Sequence, residues 1–337
     1  MNVISAARFN EIIQQFNRIK PILVVGDVGV DKYTYGEVRR ISPEAPVPVL
    51  EVSKEWRKLG LASNVSDNLK ALGVESTLCG LIGHDANGTV LESLLEEAGL
   101  KTWGIVRSEE RLTTFKERVT TKTQQICRVD YEISGPASAD CMAKIKKRVE
   151  DFKDDHSCVI IEDYCKGLIN KSLCEYIISS YKDLGKMVIV DPGSKAHPDW
   201  YRGASLLKPN LNESRMLSEA LGYRDENIES MAELLVDKLE LEMLVMTLGS
   251  EGMAIIDKKT DGKLKYIPTI RTEVYDVSGA GDTAVSCIAA ALCTGATLEE
   301  AAWMGICGSG VVVGKKGTAS VSGQELMDFY KDRLIKL

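Results

Sequence analysis

Five short apolar runs, at 21–25, 158–161, 187–190, 205–207 and 243–246, do most to limit what this chain can fold into. They carry little of the polar alternation of a half-exposed strand, so they read as strands buried on both faces. Helical stretches separate them. A helix over 61–72 precedes a strand over 75–82, a helix over 88–98 follows, and another strand covers 103–107. Alternating strands and helices predict an α/β fold, with a mostly parallel central sheet covered by helices on both faces. An amphipathic helix opens the chain over 4–19, with Ile4, Phe9, Ile12, Ile13, Phe16 and Ile19 at helical spacing. The last third reads as helices at 280–294, 297–313 and 323–335. The first strand ends in Gly26-Asp27, where an open parallel sheet usually places its ligand.

Two segments break the rhythm. Residues 33–52 hold Pro43, Pro46 and Pro48, and residues 113–131 alternate, with Lys116, Arg118, Lys122 and Arg128 among apolar positions. Both read as extended strands of a small sheet outside the main one, a lid that excludes water from a reacting site. An ordinary surface hairpin pair is the alternative. No repeat or flexible linker divides the chain, so 1–337 is expected to be one folding unit with an excursion.

Composition removes several function classes. The nine cysteines are scattered singly, without a C-x-x-C pair, and there are three histidines. A zinc site and a secreted disulfide framework are not expected, and buried thiols in a reducing cytoplasm are. A net charge of −7 without a long Lys/Arg run argues against nucleic acid. Neither a signal peptide nor a span of about 18 apolar residues is present. The expected location is the cytoplasm.

The sharpest motif is Asp276-Val277-Ser278-Gly279-Ala280-Gly281-Asp282-Thr283, followed by a run of small residues. Two glycines let a backbone approach a ligand closely, and free amides at a helix start attract anions. Asp282 lies in the first turn. Together these parts can take a proton from a hydroxyl and stabilise charge on a transferring phosphoryl group. The plainer reading is a helix cap behind a tight turn.

This segment resembles the GAGD signature of the ribokinase (PfkB) family of sugar and nucleoside kinases. Asn210-Leu211-Asn212-Glu213 is similar to that family's N-x-x-E, and Thr247-Leu248-Gly249-Ser250 with Gly252 to its strand-to-loop ATP element. Gly26-Asp27 and Asp31 resemble its first strand and sugar-binding aspartate. The resemblance runs from residue 22 to about 320 and implies a ribokinase-like three-layer sandwich. It implies Asp282 as catalytic base, and the Gly279, Ala280 and Gly281 amides as anion hole. It also implies ATP at Asn210, Glu213, Thr247, Gly249, Ser250 and Gly252, and Mg²⁺ held through water by Asn210 and Glu213. A monovalent cation near Asp276 and Val277 is implied by some relatives.

A narrower resemblance is to heptose 7-phosphate kinases, including the kinase half of the bifunctional heptose kinase/adenylyltransferase of ADP-heptose biosynthesis. It rests on Tyr35-Gly36, on 40–49 with its prolines, on Gln124-Gln125 with Arg128-Val129-Asp130, and on Asp163-Tyr164 with Lys166-Gly167. Tyr201 to Ala204, Pro209 to Leu211, 273–277 and 311–315 add to it. It implies ATP-dependent phosphorylation of the C1 hydroxyl of D-glycero-β-D-manno-heptose 7-phosphate by a stand-alone kinase. The sugar phosphate would meet Asp27, Asp31, Gly60, Asn64, Arg40, Lys116, Arg118, Arg128, Asp163 and Lys166. The cations among these suit a distal phosphate. A homodimer paired through lid strands is expected, since an exposed strand edge invites pairing. The alternatives are another sugar or sugar phosphate, or an idle relative that only binds.

Two departures bear on the acceptor. The usual Gly-Gly before the second helix is Gly60-Leu61 here, and the Lys that follows Asp-Pro in heptose kinases is replaced by Gly193-Ser194, with Lys195 displaced. Three decoys are set aside. Residues 310–316 lack P-loop spacing and a Ser or Thr after the lysines. Gly279-Ala280-Gly281 lacks the third glycine of a dinucleotide fingerprint. His84 reads as a packed or surface residue.

Overall fold

Residues 4–225, 227–270, 272–315 and 317–334 are described by a computed structural model. Residue 335 of the last expected helix and Lys316 of the rejected P-loop lie outside them. The first half holds α1 (Ala6–Gln15), β1 (Ile22–Gly26), β2 (Val28–Ile41), β3 (Pro48–Leu61), α2 (Ala62–Ala71), β4 (Ser76–Gly83), α3 (Ala86–Glu97), β5 (Lys101–Ser108), β6 (Thr114–Thr120), β7 (Gln125–Tyr131) and α4 (Ala139–Phe152). Then come β8 (Cys158–Glu162), α5 (Lys171–Asp183), β9 (Met187–Asp191), β10 (Leu206–Leu207), α6 (Leu211–Ala220), α7 (Ile228–Lys238), β11 (Met243–Thr247), β12 (Met253–Asp257), β13 (Lys265–Ile267), α8 (Ala280–Cys293), α9 (Leu298–Val312) and α10 (Gly323–Phe329).

The main sheet runs β13-β12-β11-β10-β9-β8-β1-β4-β5. Every pairing from β11 to β5 is parallel. Successive strand residues point to opposite faces, and both faces are apolar. Ile22 and Val24 join Cys158, Ile160, Ile189 and Val245 under α1, α2, α8 and α9. Leu23 and Val25 join Val159, Ile161, Val188 and Leu244 under α4, α5 and α7. Burying each such side chain stabilises the fold by about 1.5–3 kcal/mol. This is the α/β sheet covered by helices on both faces that the apolar runs anticipate, and the three layers are those implied by the resemblance.

Two strands were not anticipated. β11 and β12 are joined only by residues 248–252, too few for a crossover, so β12 returns antiparallel and β13 follows it. The segments expected to form a lid belong to a separate four-stranded sheet, β3-β2-β6-β7. It is larger than 33–52 plus 113–131, because β2 starts at Val28 and β3 runs to Leu61. The charged residues among 53–58 hide that strand from a reading based on apolar alternation.

The cysteines are all free. The expectation of nine buried thiols fails at Cys127, which is exposed on β7, while Cys165 and Cys293 are partly buried. No helix among the described residues is long and apolar enough to cross a membrane.

Candidate active site

The parallel strands β1, β8, β9, β10 and β11 end along one edge of the sheet, and α8 points its N-terminus at that edge. Small residues make this possible. α8 is buried almost all round, from Asp282 to Leu292, and a helix so enclosed needs apolar or short side chains on every face. Its cap residue Gly279 has φ 81°, a left-handed conformation that favours glycine. A Cβ there would come within 2.9 Å of Asn64 Nδ2. No side chain caps α8, in contrast to α6 and α9, which carry complete capping boxes. The Gly281 and Asp282 amides, in the first turn, have no intrahelical acceptor. The Ala280 amide is not available: it donates to the Val277 carbonyl at 3.2 Å. The expected anion hole therefore loses one of its three donors, because the turn closes on itself.

Asp282 is buried and faces a polar cleft of about 250 Å³ that also includes Glu162, Asp191, Lys208 and Glu213. Asn64 donates to its Oδ2 at 2.6 Å, and the Tyr164 hydroxyl to its Oδ1 at 2.5 Å. Burial raises the Asp282 pKa, and those two hydrogen bonds and Lys208 pull the other way without cancelling it. Thr283 and Asn68 pair behind it at 2.8 Å, which ties α8 to α2. The cleft opens at Thr247 and Gly281 into an apolar cavity of about 630 Å³. Gly249, Ser250 and Gly252 line that cavity together with Ile306 and Val313. An apolar cavity joined to a polar cleft at a helix N-terminus suits a nucleotide, base in one and phosphates in the other.

Asn210 and Glu213 border the cleft but hold each other: the Asn210 amide donates to Glu213 at 2.8 Å, and the Glu213 amide to Asn210 at 2.9 Å. Among the described residues no three His, Cys, Asp or Glu side chains are close enough to enclose a metal ion directly. The Oε1 atom of Glu162, buried in the same cleft, has no hydrogen-bond partner among the described residues. Oxygen donors spread in this way fit a hard cation carrying waters.

The sugar-side residues divide. Asp31, Gly60 and Arg118 come together. Arg118 pairs with Asp31 at 2.6 Å, and a Cβ on Gly60 would lie 3.0 Å from the other Asp31 oxygen. Lys116 lies one strand over from Asp31, and burial together with the nearby Lys166 lowers its pKa. Lys166 itself pairs with Glu132 at 2.7 Å. Asp27 is occupied by backbone: its carboxylate accepts the amides of Tyr164, Lys166 and Leu168, and burial raises its pKa to about 6. Asp163 accepts from the Tyr201 hydroxyl and the Cys165 amide, both at 2.7 Å. These two aspartates shape the 163–168 loop. Arg128 is exposed and pairs with Asp130 at 2.8 Å. Arg40 is exposed opposite Val49, nine residues along β2 from Asp31, or roughly 30 Å of extended chain. Arg40 thus stands remote from Asp31 within one chain, while Arg128 lies directly opposite Arg118 in the β6–β7 pairing. Asp276 binds the Ser278 and Gly317 amides, at 2.9 and 3.0 Å.

Sequence reasoning missed Tyr164 as a partner of the base, and it missed Glu162, Asp191 and Lys208. Each lies at or just past the carboxyl end of a buried strand, and that position is the signal by which they could have been found. The displaced Lys195 is exposed; the cation in the cleft is Lys208, from the next strand.

The family model for pfkB family carbohydrate kinases matches residues 22–324. The bifunctional protein HldE of Citrifermentans bemidjiense is 38% identical over 319 residues, which is 94% of this chain and 65% of the relative. HldE of Wolinella succinogenes is 40% identical over 311 residues, 91% of this chain and 64% of the relative. The chain thus spans about two thirds of the length of these relatives. The structure of Arabidopsis thaliana ribokinase complexed with ribose and ATP superposes with a TM-score of 0.70 at 19% identity, covering 93% of this chain and 99% of that one. The chain belongs to the pfkB family of carbohydrate kinases, ATP-dependent enzymes that transfer a phosphoryl group to a sugar.

Proposed function

We propose that the chain phosphorylates the C1 hydroxyl of D-glycero-β-D-manno-heptose 7-phosphate with ATP as donor. The observation that carries this reading is the placement of Asp282, buried where the polar cleft and the apolar cavity meet, beside an uncapped helix start. An anomeric hydroxyl is more acidic than an ordinary alcohol, so a carboxylate suffices as base. The sugar oxygen attacks the γ-phosphorus, its proton passes to Asp282, and the bond to the β,γ-bridging oxygen breaks with its electrons remaining on ADP. The Gly281 amide holds the phosphoryl oxygens. Asn64 and Tyr164 fix the carboxylate. Asn210, Glu213 and the Glu162 oxygen that has no partner among the described residues would hold Mg²⁺ through water, and it would supply positive charge opposite the polyphosphate.

A phosphorylated acceptor is favoured by Lys116 and Lys166. They are close enough for like charges to oppose each other, and Lys116 has no ion-pair partner among the described residues. The relatives named HldE favour the heptose. Leu61, buried where β3 meets α2, favours the second reading, an acceptor of different shape. The lid carries exposed Val38, Ile41, Val47, Val52 and Val129, which supports pairing of two copies through this sheet.

The test is a panel of sugars and sugar phosphates assayed for ADP release, with phosphorus NMR to locate the new ester. Turnover highest with the heptose 7-phosphate and an ester at C1 supports the proposal. A different best acceptor selects the second reading, and no product from any sugar leaves a binding protein. Asp282→Asn is expected to keep nucleotide binding and lose turnover by about 100-fold or more; turnover near wild type removes Asp282 as base.

A further inference from the structure

Two thiols that no step above uses face each other at the end of the sheet away from Asp282. Cys158 opens β8 and Cys293 closes α8, and their Sγ atoms lie 3.3 Å apart. The two residues are 135 positions apart in the chain, and packing brings them together, because α8 covers the face of the sheet that Cys158, Ile160 and Ile189 form. Asp282 lies eleven residues before Cys293 on the same helix, roughly 16 Å along its axis, so the pair is separate from the reacting end. Cys158 is wholly buried, whereas Cys293 keeps part of its surface in solvent.

The two sulfurs are not equivalent. Their contact lowers the Cys293 pKa, with burial opposing. The same contact raises Cys158 well above its ordinary value, with burial adding. The helix dipole disfavours a thiolate at the end of α8, so the neighbouring sulfur is what makes Cys293 the more acidic thiol. A thiolate that meets solvent, backed by a second thiol in contact, is the arrangement that oxidants select.

We infer that Cys158 and Cys293 form a peroxide-reactive dithiol that closes reversibly to a disulfide between β8 and α8. The Cys293 thiolate attacks one peroxide oxygen, the O–O bond breaks, and the departing hydroxide takes up a proton as water. The Cys158 sulfur then attacks the Cys293 sulfenic acid. The S–S bond forms, the S–O bond breaks, and the Cys158 proton leaves with the hydroxyl as a second water. Two thiols lose two electrons and two protons, and one peroxide is reduced to two waters. The sulfurs need approach by only about 1.3 Å to reach bonding distance. Closure keeps Cys293 from the irreversible sulfinic acid and ties α8 to the sheet.

The test treats the full chain with an equimolar amount of hydrogen peroxide, unfolds it, blocks remaining thiols with N-ethylmaleimide and maps the peptides by mass spectrometry. A cross-linked peptide pair holding Cys158 and Cys293 is expected, lost on treatment with dithiothreitol. The oxidised protein should melt about 3 °C or more above the reduced one, since the bond closes a long loop. In Cys158→Ala the reaction should stop at a Cys293 sulfenic acid that dimedone traps, and the melting temperature should not rise. Cys293→Ser, which changes a partly exposed residue, should leave Cys158 unoxidised, and with the wild-type map it decides the matter even where Cys158→Ala does not fold. Wild type that yields both residues as maleimide adducts while Cys127 is oxidised overturns the inference. So does Cys293 recovered as sulfinic acid beside a free Cys158.

Discussion

A buried carboxylate works as a base only above its own pKa, and Asp282 is raised by burial against the opposition of Asn64, Tyr164 and Lys208. The sign follows directly. Below that pKa the carboxyl is protonated and turnover is lost, so kcat/KM should rise with pH through an acid limb above the ordinary aspartate value of about 3.9. Asn64→Ala removes a donor that favours the ionised form and should move that limb to higher pH. A limb that stays in place in the pH–rate profile excludes the Asn64 contact from tuning the base. Leu61 poses a different residue-scale question. Its φ of 56° is one that glycine adopts freely and leucine does not, yet its side chain is buried. Packing holds an unfavourable backbone at the junction of lid and core, and this is the physical content of the Gly60-Leu61 departure.

At the scale of elements, α6 and α8 show two uses of a helix start. Asn210 and Glu213 close the first turn of α6 reciprocally, so the N-x-x-E motif builds structure whatever else it binds. α8 leaves its first turn open. Gly279→Ala would place a methyl 2.9 Å from Asn64 Nδ2 at positive φ. It should cost about 1–2 kcal/mol of stability and displace the donor that holds Asp282. Thermal melting and kcat should both fall. A drop in melting temperature with unchanged kcat refutes the coupling of turn and base.

The lid matters at the scale of the whole molecule. Its β2–β3 ribbon contacts the core through Tyr33, whose hydroxyl accepts the Thr318 amide at 3.1 Å, and through Lys58, which donates to the Thr318 carbonyl. The outer half carries apolar side chains into solvent. Ile41→Lys with Val52→Lys is therefore expected to convert a dimer of twice the chain mass into a monomer in light scattering. A wild type already monomeric at micromolar concentration sinks that expectation.

Much of this was legible in one dimension. Apolar runs of four or five residues without alternation, set between longer helical stretches, read as strands covered on both faces, and so the layered sheet followed from 21–25, 158–161, 187–190 and 243–246. Asp282 was legible because few local structures need two glycines and an acid before a run of small residues. The partners of that acid were not. Asn64 and Tyr164 lie 218 and 118 positions away, and only closure of the sheet brings them to its oxygens. Asp27 and Asp163 read as sugar ligands because a motif states residue type and position but not which amides will claim the carboxylate. Lys208 was missed for the converse reason: its chemistry arises from burial beside Asp191 and nearness to Gly281. Sequence determined the layers and the turn and singled out Asp282 as the proposed base; tertiary packing decided its partners, because burial and hydrogen bonding depend on neighbours that lie far apart along the chain.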